Sequence, residues 1–158
     1  MALKLRPMTD GECREWIAVS REEYVRERIR SGESEDVARR LSNAQHNQLF
    51  PDGLPGPGNR LLAVERDGAP IGMVWVGPHP QRSERAESVW LYNIEINADA
   101  RGHGAGKEAL RLLEQQLVAE GHSELALNVF GHNTAARSLY VSSGYREAAI
   151  TMTKSLGT

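Results

Sequence analysis

The stretch Val89-WLYNIEINADARGHGAGKEALRLLEQQ-Leu117 decides the fold. Its first part, up to Asn97, is apolar, β-branched and aromatic, which predicts a strand. After a short turn comes Arg101-Gly102-His103-Gly104-Ala105-Gly106. From Lys107 the apolar residues Ala109, Leu110, Leu113 and Leu117 recur at helical spacing. Strand, glycine loop and helix N-terminus in that order aim several backbone N–H groups and the positive end of a helix dipole at one place. An anion, above all a phosphate, suits that place.

Outward from this stretch, the next apolar run, Leu125 to Phe130, predicts a second strand. One helix separates it from the first, so the two strands are expected to be parallel in a right-handed βαβ unit. Asn133 starts a further helix carrying Ala136, Leu139 and Tyr140 on one side, and Gly144 ends it. Tyr145 to Lys154 reads as a last strand or strand pair. Toward the N-terminus, Leu61–Glu65 and Ile71–Val76 are predicted strands, joined by a hairpin turn around Asp67-Gly68. Pro78 to Arg82 forms a second turn region. Phe50 to Asn59 (FPDGLPGPGN) holds three prolines and three glycines, which rules out a regular element. It either lines a site or simply connects. Leu3 and Leu5 alternate with charges in a short strand ended by Pro7. Thr9 and Glu12 have the spacing of a capping box. The helix that follows buries Cys13, Trp16, Ile17, Tyr24 and Val25 and stops at Ser31-Gly32. Ser34 caps another, with Val37, Leu41, Ala44 and Leu49 as its expected inner stripe.

The chain has 158 residues, 40% hydrophobic and 25% charged, which fits one domain. The formal net charge of −2 offers no footprint for nucleic acid. No apolar run reaches the length of a membrane span, and the first residues lack a signal-peptide core. Cys13 is the only cysteine, which excludes an internal disulfide and a cysteine zinc site and suits a reducing cytoplasm. His46, His79, His122 and His132 show no metal-ligand spacing and read as solvated or loop residues. No metal is expected.

Three glycine motifs compete for the loop. A Walker A loop needs glycine at 101 and serine or threonine at 108; the chain has Arg101 and Glu108. The dinucleotide pattern fits Gly104, Gly106 and Ala109 but wants an acid closing the next strand, where Asn128-Val129-Phe130 stands. The third, Arg-x-x-Gly-x-Gly/Ala between strand and helix, is complete at Arg101–Gly106. By this loop, and by LNVFGHNTAARSLYVSSGY (Leu127 to Tyr145), the chain resembles the GNAT superfamily of N-acetyltransferases. The resemblance covers roughly residues 89 to 155. YNIEI, VFGHN and FPDGL also resemble a bacterial subgroup of that family.

The resemblance implies a three-layer α/β (α+β) architecture spanning 1–158 as a single domain. Its sheet is mixed, largely antiparallel and twisted, with a parallel βαβ core: the acyl-CoA N-acyltransferase fold. It implies acetyl-CoA as co-substrate and an amine as acceptor. The loop residues Arg101, Gly102, His103, Gly104, Ala105, Gly106 and Lys107 would hold the pyrophosphate. Gly102, Gly104 and Gly106 allow positive φ and close backbone approach to an anion. Arg101 either touches phosphate or supports the loop, His103 offers its N–H, and Lys107 adds charge or is solvated. Ile94 and Ile96 read as core, and their backbone would pair with the pantetheine arm as an incoming strand does. That pairing requires the two parallel strands to part near their C-terminal ends. Asn133 and Ala136 would also face the cofactor, and Tyr140 would act as general acid toward the sulfur.

Glu95 points to the opposite face from Ile94 and Ile96, and Asn128 is expected on the matching face of the next strand. Together they are candidates to deprotonate the amine, directly or through water. The rival reading is a non-catalytic acyl-CoA sensor or assembly subunit, since fold alone does not license catalysis. Family chains often end in a strand hairpin that walls the acceptor site, and here few residues remain for one after Tyr145. The acceptor pocket must then lean on the N-terminal helices, the FPDGLPGPGN loop or a partner subunit. A homodimer is left open.

Overall fold

The computed structural model describes residues 2–81 and 84–157. Arg82, at the end of the expected second turn, lies outside the described residues. The chain divides into two compact units, Met1–Leu127 and Asn128–Thr158.

The first unit is built on five strands in the order β1 (Leu3–Pro7), β2 (Arg60–Arg66), β3 (Ala69–Pro78), β4 (Ser88–Ile96) and β5 (Glu124–Ala126). All neighbours are antiparallel except β4 and β5, which are parallel. Asp67 and Gly68 turn the β2–β3 hairpin with φ of 53° and 80°, as a tight hairpin demands.

Two helices pack on this sheet, and a third packs on one of them. In α1 (Asp10–Arg30) the Thr9 side chain accepts from the Glu12 N–H, and the Glu12 carboxylate accepts from the Thr9 N–H. Glu12 also pairs with Arg6 at 2.7 Å, and Arg6 with Glu65 at 2.8 Å, which ties helix, β1 and β2 together. Cys13, Ile17, Phe50, Leu61 and Met73 form a buried cluster on the α1 side of the sheet, flanked by Trp16 and Trp75. The register alternates faces, so Leu62, Val64, Val74 and Val76 point the other way and are buried as well. Helix α3 (Ala105–Ala119) packs on the sheet with Ala105, Ala109, Leu110, Leu113 and Leu117 buried, as its periodicity predicts.

Helix α2 (Glu35–Leu49) is capped by Ser34 but turned differently from expectation. Its buried residues are Ala38, Ser42 and His46, while Leu41 and Ala44 are exposed. Small side chains at i and i+4 let α2 approach α1, so closeness selects this face over apolarity. His46 is therefore not solvated. It is buried beside Phe50 with Nδ1 3.1 Å from the Ser42 carbonyl oxygen. His79 is buried too, its Nδ1 accepting from the Gln81 N–H at 3.1 Å. The FPDGLPGPGN segment is not wholly irregular, since Pro51–Gly53 closes one 3₁₀ turn.

Two strand expectations fail. The run Leu125 to Phe130 pairs with β4 only through Ala126. The physical reason is in β4. Val76 pairs with Leu91 and Trp75 with Asn93, so Tyr92 is an extra residue, a β-bulge. It bends β4 just past Trp90, its last pair with β5. In the second unit, α4 (Thr134–Ser142) forms as expected, but residues 145–157 form no strand. Alternation supplies a face for a strand and no ladder partner.

Two predictions follow from this packing. A Cβ on Gly72 would overlap the Glu95 carbonyl oxygen and press on Ile96, so Gly72→Ala should destabilise the chain by about 1–3 kcal/mol in urea unfolding. Burial lowers the His46 pKa from its ordinary 6.5. The unfolded chain therefore takes up this proton first, and the stabilisation present above that value is lost as pH falls below it. Acidification from pH of about 7 to about 5 should lower the thermal midpoint more in the wild type than in His46→Leu.

Candidate functional site

The site end of the first unit begins where β5 stops. β4 runs on from Leu91 to Ile96 with β3 on one side and no ladder partner on the other among the described residues. The Asn97 N–H donates to the Ile71 carbonyl at 2.7 Å, so odd-numbered residues here bond toward β3. By the alternation of an antiparallel ladder, the peptide groups of Ile94 and Ile96 then face the open side. The expected parting of two strands takes another form here, since β5 stops at Ala126 while β4 runs on.

Beyond Ile96 a 3₁₀ turn, Ala98–Ala100, leads into the glycine loop. Arg101 donates from Nε to the Ile96 carbonyl oxygen at 2.8 Å. That bond ties the glycine loop to the end of β4. Gly102 and Gly104 have φ of 84° and 72°. No atom lies within 4 Å of where a Cβ would stand on either. Gly106 differs from expectation: it lies inside α3, without positive φ. Its conformation is set by the helix that Gly104 caps. The first intrahelical bond runs from the Glu108 N–H to the Gly104 carbonyl at 3.0 Å. The N–H groups of Ala105, Gly106 and Lys107 therefore precede the helical ladder and point out of its end. His103 and Lys107 are exposed. Open space, donors with no partner among the described residues and a helix dipole make this a cradle suited to an anion.

Glu95 is exposed on β4, on the face opposite Ile94 and Ile96. Its Oε1 accepts from the Asn93 side-chain amide at 2.7 Å. Asn93 was not singled out in the sequence; its place two residues before Glu95, on the same strand face, was the available signal. The register puts Met73 opposite Glu95 and Trp75 opposite Asn93. Trp75 stacks on Tyr92 with centroids 4.3 Å apart and also meets Phe50 at 5.0 Å and Trp16 at 5.8 Å. Its indole N–H donates to Asn59 at 3.0 Å. The FPDGLPGPGN loop thus holds Trp75 from both of its ends.

Asn128 does not stand on the matching face of an adjacent strand, because β5 ends at Ala126. It belongs to the second unit. There Asn133 caps α4, its side-chain oxygen accepting from the Ala136 N–H at 3.2 Å. Ala136 and Tyr140 are half-buried on the inner side of α4. Tyr140 meets Tyr145 edge-on at 5.6 Å, and burial pushes its phenol above the ordinary 10.

A cleft of about 580 Å³ lies elsewhere, lined by Asn59, Arg60, Pro78, Ser88 and Glu120 among others. It flanks the first residues of β4, about six residues or ~20 Å of strand from Glu95. Its charges are paired, Arg60 with Glu120 at 2.9 Å. No helix among the described residues is long and apolar enough to cross a membrane.

The Acetyltransferase (GNAT) family matches residues 15–145. The uncharacterized N-acetyltransferase YycN of Bacillus subtilis is 31% identical over 159 residues, covering 99% of this chain and 100% of YycN. A second, YdgE of the same organism, is 28% identical and covers 99% of each chain. The crystal structure of YycN superposes with a TM-score of 0.83 over 99% of this chain and 100% of that one. AAC(6')-Iy in complex with a bisubstrate analog, CoA-S-monomethyl-acetylneamine, shares the fold with a TM-score of 0.61 at 15% identity, over the full length of both chains. A match over most of the length, on top of the loop at the end of β4, makes this chain a member of the GNAT family and an acetyltransferase.

Proposed function

We propose that this chain moves the acetyl group of acetyl-CoA directly to a primary amine, with both substrates bound at once. One observation carries the reading. A single strand, β4, ends in an anion cradle, leaves its edge open beside that cradle, and displays the exposed carboxylate of Glu95 on one face. The loop Arg101–Lys107 holds the pyrophosphate through backbone N–H groups. The peptide groups of Ile94 and Ile96 take the pantetheine arm as an added strand.

Between ammonium and amide the nitrogen loses two protons, and the sulfur gains one. An ammonium of pKa about 10 must lose a proton before it can attack. Glu95 accepts it, with Asn93 rather than Asn128 as the amide that steadies the carboxylate. The amine nitrogen then bonds to the thioester carbonyl carbon, whose oxygen is polarised by a β4 backbone N–H. The carbon–sulfur bond breaks, the thiolate, of pKa about 8.5, takes a proton from Tyr140, and the nitrogen's second proton passes to solvent, from which the phenolate is reprotonated. The raised phenol pKa keeps that proton in place at neutral pH. Cys13 is buried, and burial pushes its thiol up. This supports a route without a covalent enzyme intermediate.

Thiol release from acetyl-CoA with a panel of amines tests the reading. Tyr140→Phe should lower kcat by about 10²-fold, the lower range for a general acid, while CoA affinity by calorimetry stays within about twofold. An unchanged kcat removes Tyr140 from the mechanism. Gly104→Val forces a β-branched residue to φ of 72° and puts a side chain into the cradle. It should abolish CoA binding with the circular dichroism spectrum retained; undiminished affinity would sink the loop assignment.

A further inference from the structure

The bulge in β4 is held from outside the strand, and one of the residues that hold it is Asn59. Resting on the transfer reading above, we propose that Asn59 is a positioning residue for the reaction. Through Trp75 and Tyr92 it keeps the extra residue of β4 in place, and so aims Glu95 and the peptide groups of Ile94 and Ile96.

The register shows what depends on the bulge. Leu91 stands opposite Val76 and Asn93 opposite Trp75, with Tyr92 between them. Carried on without the extra residue, the upstream pairing would set Ile94 opposite Met73, where Glu95 now stands. A slip of one residue moves every later side chain to the other face. Glu95 would leave the α1 side of the sheet, on which Met73 is buried. The peptide groups of Ile94 and Ile96 would turn from the open edge toward β3. The base and the open edge therefore depend together on where the bulge sits.

Gly77 is the common seat of the contacts that fix it. A Cβ there would overlap the Asn59 side-chain oxygen and stand 3.2 Å from the edge of the Tyr92 ring. The bare glycine admits both. The same Asn59 oxygen accepts from the Trp75 indole N–H at 3.0 Å. Trp75 in turn stacks on Tyr92, centroids 4.3 Å and planes 12° apart. Tyr92 is thus held by its face at Trp75 and by its edge at Gly77. Stacked rings are accepted over a range of centroid offsets, whereas an N–H···O bond weakens steeply when it is bent. The bond to Asn59 is what fixes Trp75 in its own plane. Asn59 is anchored at the end of the FPDGLPGPGN loop, its N–H donating to the Gly56 carbonyl at 3.0 Å.

The test measures thiol release by the full chain with an amine that the wild type acetylates, at saturating acetyl-CoA. The temperature is one at which circular dichroism shows every variant folded. Asn59→Leu keeps the size of the side chain and removes the acceptor; Asn59→Asp keeps the acceptor. Small misplacements of reacting groups cost rate steeply, so Asn59→Leu should lower kcat by about tenfold or more and Asn59→Asp by less than about threefold. Asn59→Ser, too short to reach the indole, reads the same loss if the leucine variant does not fold. A lowered thermal midpoint with kcat unchanged makes Asn59 a stabilising residue only and overturns the proposal. A loss in Asn59→Asp equal to that in Asn59→Leu overturns it too, because the indole bond is then not the link. Either result leaves amine transfer standing. A wild type that acetylates no amine of the panel overturns the transfer reading itself, and this proposal with it.

Discussion

Strand β4 has two different surroundings along its length, and the site depends on that. At Val89 and Trp90 it lies between β3 and β5; from Leu91 on it has β3 alone among the described residues. The bulge at Tyr92 makes the change. A continuous parallel ladder would satisfy every peptide group on that side. The interrupted one leaves the groups of Ile94 and Ile96 for water or for an extended ligand. One of them, the Ile96 carbonyl, is already closed by Arg101. The arginine of the glycine motif therefore serves the strand first. By pinning the loop to the strand end it fixes where the α3 N-terminus points, and the anion cradle inherits that direction.

The other face of the same strand is fixed from further away. Phe50 and Asn59 bound the proline- and glycine-rich segment, and both touch Trp75. Between them the chain is held by the 3₁₀ turn and by the Gly56 N–H, which donates to the Leu49 carbonyl at 3.0 Å. Prolines lower the entropy such a segment loses on ordering, so it acts as a brace rather than a slack connection. Helix α1 adds Trp16 to the row, and buried His46 supports Phe50 from α2. The two N-terminal helices thus reach the Glu95 face through rings rather than through charge. Their many Arg–Glu pairs, such as Arg39 with Glu22 at 2.9 Å, lie on exposed side chains.

Features written in local pattern were legible in the sequence. The α3 stripe, the Thr9–Glu12 capping box, the Asp67-Gly68 hairpin and the Arg101–Gly106 loop each depend on residues a few positions apart. Features decided by what another element does were not. The end of β5 depends on a bulge across the ladder. The inner face of α2 depends on how closely α1 approaches. Burial of His46 depends on the Ser42 carbonyl being one turn away to offset desolvation. Asn93 was passed over because an asparagine in a strand carries no spacing signal of its own. The face of Asn128 is not legible for the converse reason: alternation places a residue only while the strand lasts, and β5 ends at Ala126.

The three glycines of the loop show how identical residues do different work. Gly102 and Gly104 take left-handed φ and turn the chain from strand to helix. Gly106 is helical and makes no turn. Within a helix glycine is less stable than alanine by about 0.5–1 kcal/mol, so turn geometry does not account for it. It stands in the first turn of α3 between Ala105 and Lys107, where its N–H precedes the helical ladder with theirs. Two of the glycines thus make the turn, and the third adds its N–H to the helix end that the turn sets.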